Sequence, residues 1–302
     1  MIKPFLMNIV QDDDILDKCK KMNIELENTP YALKGKKIPR VTSILSDMIS
    51  EEYLMAWANS VGLYQRKSYT YYRNKSTAIG SAVHEAIQQY IQDRMISDFT
   101  GLKDKNDRDQ AENSFKAFLD WWSVIEKTNY QIILEEEPMV TPYCGGTLDL
   151  FMSINGKKYL IDFKTSNQLG FKYYLQLAAY RRMLFEVYGY VCDGCILLRL
   201  DKKTGKYQEV ILDLCNYNDL EFMNDCDRAF VSLVYAYYNR VNIETNNSYV
   251  GWYIMSNLLD LYFKILFFNL KLFGIIIIGC LVIAMLLIIY LVIKQYFKKN
   301  NK

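Results

Sequence analysis

Residues 145–164 read GGTLDLFMSINGKKYLIDFK, two runs of alternating apolar residues joined by Asn155-Gly156. An Asn-Gly pair in this setting is the strongest short-range signal for a two-residue type I′ hairpin, because both turn positions need positive φ. The turn sets the register. Ile154 opposes Lys157, and counting outward brings Asp149 opposite Asp162, with Cβ atoms about 5 Å apart. Two carboxylates so placed repel unless one is protonated or a cation lies between them. Lys164 follows Asp162 by two and projects from the same face. Oxygen ligands of this hardness suit Mg²⁺ or Mn²⁺. A metal with an ammonium beside it suits phosphodiester hydrolysis: the ion lowers the pKa of a water and offsets charge on the phosphate, and the lysine orients the nucleophile or steadies the transition state. The competing reading is a surface hairpin whose charges face water.

The rest of the chain is expected to wrap this hairpin in an α/β domain. At 302 residues, 51% hydrophobic and 23% charged, with 25 Tyr and 5 Pro, it has the size and apolar content to bury a core. Residues 1–40 are polar and look irregular, ending in GKKIPR. Apolar spacing then predicts a helix in VTSILSDMISEEYLMAWANSV with Thr42 or Ser43 as N-cap, a helix over Ala78–Ile96 and another over Gln110–Lys127. Strands are expected at Tyr130–Leu134, Gly146–Ile154, Lys158–Lys164, Ile196–Leu200 and Tyr207–Leu212, with helices at Phe171–Val187 and Tyr217–Asn239. Residues 41–245 are therefore read as one domain, a mixed sheet flanked by helices.

Beyond residue 245 the chemistry changes. Residues 246–271 read as linker and juxtamembrane helix, and Leu272–Ile293 holds 22 residues without a charge or proline. At 1.5 Å per residue such a helix spans a hydrocarbon core of about 30 Å, so it is read as a C-terminal membrane anchor followed by a basic tail, 294–302. Counting lysines alone, Lys264 and Lys271 on one side and four on the other would place the tail inside. A tail anchor without an export signal leaves the domain in the cytoplasm, the reading preferred here. Without those four tail lysines the basic count is 32 against 34 acids. The body is thus no basic glove, and a polyanion must be held by a local patch or by metal ions.

The seven cysteines have no regular spacing, which fits reduced thiols. Cys192 and Cys195 form a CxxC that with Cys215 and Cys226 makes a poor zinc or iron-sulfur pattern, and Cys195 opens an apolar strand where a small buried residue is wanted. An iron-sulfur cluster is not expected. In YQRKSYTYYRNKS, basic Arg66, Lys67, Arg73 and Lys75 alternate with Tyr64, Tyr69, Tyr71 and Tyr72. This is what a single-strand binding segment needs, and equally what a solvated connector looks like. The one histidine, His84, and the pair Gln176 and Tyr180, one helical turn apart, say little by themselves.

In order along the chain stand GSAVHEAI, GGTLDLF, LIDFKTS and YYLQLAAY. Together they resemble the motifs of the PD-(D/E)XK nuclease superfamily in its RecB-like branch, and IPRVTSIL ahead of them is similar to the opening of phage exonucleases and of the mitochondrial genome maintenance exonuclease. The resemblance covers about Ile38 to Leu212 and implies a restriction-endonuclease-like core. It further implies that His84, Asp149, Asp162 and the Phe163 carbonyl bind the metal, that Lys164 is the catalytic lysine, and that Gln176 and Tyr180 position DNA or support the site. Glu85 and Thr165 are weaker candidates. Leu148 stands where the superfamily's name has Pro, and Asp162 where many members have Glu. The expectation is a Mg²⁺-dependent exonuclease acting on free single-stranded or frayed DNA ends in replication, recombination or repair. Its rivals are an endonuclease on the same site and a membrane-tethered nucleic-acid binding protein with an inactive nuclease fold.

Overall fold

The computed structural model describes residues 13–22, 29–49 and 68–245, which fall in one compact unit ending at Thr245. Six helices are described: α1 (Asp13–Lys21), α2 (Val41–Met48), α3 (Tyr69–Asp93), α4 (Lys105–Ile125), α5 (Phe171–Tyr188) and α6 (Tyr217–Thr245). A small hairpin joins β1 (Ala32–Leu33) to β2 (Lys36–Lys37). The main sheet holds β3 (Tyr130–Val140), β4 (Gly145–Ile154), β5 (Lys157–Lys164), β6 (Gly194–Leu200) and β7 (Tyr207–Asp213), in that spatial order. Only β5 and β6 run parallel. A parallel pair needs a crossover, and α5 supplies it between Gly170 and the left-handed Gly189 at φ 72°.

Alternation along the strands feeds two cores, one per face of the sheet. On one face Leu160, Cys195 and Leu197 pack with α1, α2, α5 and α6. On the other, Ile161, Ile196 and Leu198 pack with α3 and α4, whose Phe115, Phe118, Trp121 and Trp122 fill that side. Phe118 is fully buried and edges against Phe163 with ring centroids 5.7 Å apart, so truncating it to Ala would cost about 3–5 kcal/mol. The hairpin turn has the expected form, with Asn155 at φ 52°, Gly156 at φ 83° and Ile154 paired to Lys157.

Several sequence expectations are corrected. The segment before residue 40 is partly regular: α1 buries Leu16 and Cys19 in the same core as α2 and α6, so among the described residues no boundary separates it from the domain. Neither Thr42 nor Ser43 caps α2. The N-cap is Arg40, whose extended backbone bridges to Gly145, so the chain enters the helix from the first residue of β4. Helix α3 begins nine residues earlier than expected, capped by Ser68, whose side chain accepts the Tyr71 N–H. Tyrosine, arginine and lysine tolerate a helix, and pairs one turn apart steady it: Arg73 lies over the Tyr69 ring and Lys75 over Tyr71. Strand β3 runs six residues past Leu134 because a bulge near Ile133 breaks its apolar alternation.

Among the described residues no helix is long and apolar enough to cross a membrane. The expected span Leu272–Ile293, its linker and its basic tail lie outside them, as do Tyr64, Arg66 and Lys67.

Candidate metal centre

Pairing of β4 with β5 runs from the turn out to Leu150–Ile161. The next pair in that register is Asp149 and Asp162, and there the ladder gives way: Asp149 Oδ2 accepts the Phe163 N–H at 2.6 Å. A side-chain carboxylate thus takes the place of a backbone partner where the strands part. On its other edge β4 stays paired with β3, Glu135 to Leu150 and Glu137 to Leu148, which leaves Glu136 opposite Asp149. Glu136 has φ 44°, a left-handed conformation that costs a non-glycine residue roughly 1–3 kcal/mol.

His84 comes from α3, one turn after Gly80. Its Nδ1 stands 3.4 Å from Asp149 Oδ1 and 3.5 Å from Glu136 Oε1. One donor atom from each of these three residues lies within 4.8 Å of the other two. Beside them Lys164 Nζ is 2.7 Å from Asp162 Oδ2 and 5.1 Å from the centroid of the Tyr173 ring on α5. Asp162 is 1% exposed; the Lys164 ammonium meets its Oδ2, and among the described residues no hydrogen-bond donor reaches its Oδ1.

The electrostatics follow from this crowding. Burial works against a charged His84, but Asp149 and Glu136 outweigh it and lift the imidazole to about 10. Burial would raise Asp149 as well, but the charges of His84 and Lys164 and the Phe163 N–H hold it below its ordinary value. Burial pushes Asp162 up to about 6, with Lys164 pulling against it and Asp149 adding repulsion. Lys164 loses solvation too, and the two aspartates more than restore its ammonium. Three carboxylates gathered at the parting strands, one with a buried oxygen that no hydrogen bond reaches, are what a cation would relieve. An imidazole nitrogen and carboxylate oxygens suit a metal ion, so His84, Glu136 and Asp149 can hold one.

The predicted residues divide into three sets. His84, Asp149, Asp162 and Lys164 meet at the site, although Asp162 engages Lys164 and the converging triad takes Glu136 in its stead. Phe163 lends its N–H to Asp149 and sets its ring against His84. Gln176 and Tyr180 are buried on α5, where the amide donates to the phenol at 3.1 Å and the Tyr180 ring covers Gly146 so closely that a Cβ there would lie 2.5 Å from it. Thr165 packs beside Gly80. Glu85 does not join the site; it is exposed and accepts from Gln89. Tyr71 and Arg73 ride the first turns of α3, with Tyr71 about 20 Å along the axis from His84 at 1.5 Å per residue. Cys192, Cys195 and Cys226 are buried thiols, and Cys215 is exposed. Glu136 and Tyr173 were missed. The four-residue link TPYC between β3 and β4 could have shown that Glu136 faces Asp149, had the strand been carried past Leu134.

Neither a protein-family model nor a curated protein matches the chain.

Proposed function

We propose that the chain is a metal-dependent deoxyribonuclease of the PD-(D/E)XK type, RecB-like branch, acting as an exonuclease on single-stranded or frayed DNA ends in replication, recombination or repair. One observation carries the reading: His84, Glu136 and Asp149 converge at the parting end of a β-hairpin, with the Asp162–Lys164 pair alongside. The antiparallel β3–β4–β5 sheet with parallel β6 across a helix agrees with a restriction-endonuclease-like core.

The chain's own residues would divide the work. His84, Glu136 and Asp149 would hold Mg²⁺ or Mn²⁺, with Asp162 and the Phe163 carbonyl as further oxygens. When bound, the ion supplies positive charge that acidifies water and offsets charge on the phosphate. Asp162 keeps Lys164 protonated and aimed, and the Lys164 ammonium holds the attacking water or a phosphate oxygen in line. Tyr173 closes one side of that ammonium, and Gln176 and Tyr180 brace the strand beneath Asp149. The basic and aromatic segment Arg66, Lys67, Tyr71 and Arg73 would guide the strand. The span Leu272–Ile293 would tether the domain to a membrane on its cytoplasmic side; deleting 272–302 should release the chain from the membrane fraction.

The test uses the full chain with Mg²⁺ or Mn²⁺ on end-labelled linear and on circular single-stranded DNA, beside a Lys164→Ala control. Loss of the linear substrate alone, absent in the control, is the expected result. Cleavage of the circle would make the enzyme an endonuclease. Binding without turnover, unaffected by Asp162→Asn, would make it a nucleic-acid binding protein and end the enzymatic reading.

A further inference from the structure

Tyr31 belongs to the stretch that sequence alone left irregular, and it is built into the strand that carries Asp149. Its hydroxyl lies 2.8 Å from Oγ1 of Thr147, two residues before Asp149 on β4. Its ring lies on Gly145, where a Cβ would come within 2.4 Å of the ring Cγ. The backbone around it is pinned: Ile38 N–H donates to the Tyr31 carbonyl at 2.9 Å, and Gly145 N–H to the Pro39 carbonyl at 2.8 Å. Thr29 Oγ1 accepts the Tyr31 N–H at 3.2 Å. Two consecutive glycines thus each carry a tyrosine ring, Tyr31 on Gly145 and Tyr180 on Gly146.

Counting protons shows what this arrangement leaves over. Each hydroxyl brings one proton, and the Tyr31–Thr147 contact spends one of the two. Among the described residues the other finds no acceptor. Both side chains are half-buried, not enclosed in the core, so that proton is left for a further acceptor. It stands beside an acidic centre, where a lysine or arginine would compete with a metal ion for the carboxylates and a neutral donor would not. Tyrosine and threonine hydroxyls are ordinary donors to nucleic-acid phosphates.

We propose that Tyr31 and Thr147 form a neutral phosphate-binding pair that holds a backbone phosphate of the substrate strand next to the one being cleaved. The proposal rests on the nuclease reading above and names residues outside its motifs. It gives the N-terminal segment a part in substrate binding, where its packing alone would make it scaffold.

The test compares full-length wild type, Tyr31→Phe and Thr147→Val on single-stranded oligonucleotides carrying one methylphosphonate linkage, stepped over the three positions beside the cleaved bond. Tyr31→Phe keeps the ring on Gly145 and removes only the hydroxyl. Either variant should raise KM about threefold to tenfold, the worth of one hydrogen bond, with kcat and Tm nearly unchanged. The double variant should be no worse than the worse single one, since both break one network. At one linkage position the neutral phosphate should raise the wild-type KM by the same factor and leave Tyr31→Phe unaffected. Unchanged KM in both variants, or a linkage penalty equal in wild type and variant at every position, would overturn the pair while the nuclease stands. A joint fall in kcat and Tm would reduce Tyr31 to a structural role and overturn it too. If wild type itself cuts nothing that Lys164→Ala spares, the nuclease reading fails first.

Discussion

Two of the groups of buried charge among the described residues are finished to different degrees. Between α5 and α6, Arg182 presents Nε to Asp227 Oδ1 at 2.8 Å and Nη2 to Asp227 Oδ2, fork against fork, with Glu186 3.7 Å from Nη1. Glu186 in turn accepts the Tyr143 hydroxyl at 2.6 Å. Both oxygens of Asp227 are bonded. At the parting end of the β4–β5 hairpin, Asp162 has only the Lys164 ammonium at Oδ2 and no hydrogen bond at Oδ1, and Asp149, Glu136 and Asp162 crowd around one imidazole and one ammonium. A carboxylate with both oxygens bonded serves the fold; one with a buried oxygen left over is where a cation would find a ligand.

The largest difference should appear in catalysis. Lys164→Ala and Asp162→Asn should each lower kcat by about 10³-fold or more, as loss of a transition-state donor does, whereas Asp227→Asn should leave the kcat of the folded fraction near wild type. Single-turnover cleavage of labelled DNA measures both. Stability should run the other way. Asp227→Asn should cost about 3–5 kcal/mol in urea titration because it strands a buried guanidinium. Asp162→Asn, measured in EDTA, should cost less, because it takes one partner from Lys164 but also relieves the repulsion between Asp162 and Asp149 and leaves Asp149 to offset the ammonium.

Glu136→Gly offers a subtler cut. Glycine takes φ 44° without strain, so the metal-free domain should gain up to about 1 kcal/mol while divalent metal affinity falls about tenfold or more. A gain in stability with unchanged metal affinity would remove Glu136 from the ligand set. A pH dependence separates the two groups as well. His84 is raised on folding to about 10, so the native state holds a proton that the unfolded chain releases near 6.5. The stability it contributes is full below pH 6.5 and is lost as pH rises to about 10. The Tm of the metal-free protein should fall across that window, and His84→Gln should flatten the slope.

Legibility in the sequence followed the range of the interaction. Asn155-Gly156 is a local signal, and from it the approach of Asp149 to Asp162 could be read before any fold was known. The apolar stripe of α3 was equally local, and it carried His84 to the correct helix. Glu136 escaped because its position depends on a bulge in β3 and a left-handed residue, neither of which leaves a period in the sequence. Tyr31 escaped because its ring is ordered by Gly145, 114 positions away, and not by its neighbours. The cap of α2 was misplaced for the same reason: a backbone bridge from Arg40 to the start of β4, not a side-chain hydroxyl, precedes that helix.

The central claim is that the unfinished group is a cation site, and a calorimetric titration of Mn²⁺ into the metal-free full chain tests it most directly. The account predicts saturable binding with release of a proton, seen as a heat that changes with the ionisation enthalpy of the buffer, because a ligating His84 must give up the proton it holds. Asp149→Asn should abolish the binding, and Asp227→Asn should not. Absence of binding at millimolar Mn²⁺, or binding that survives Asp149→Asn unchanged, would contradict it.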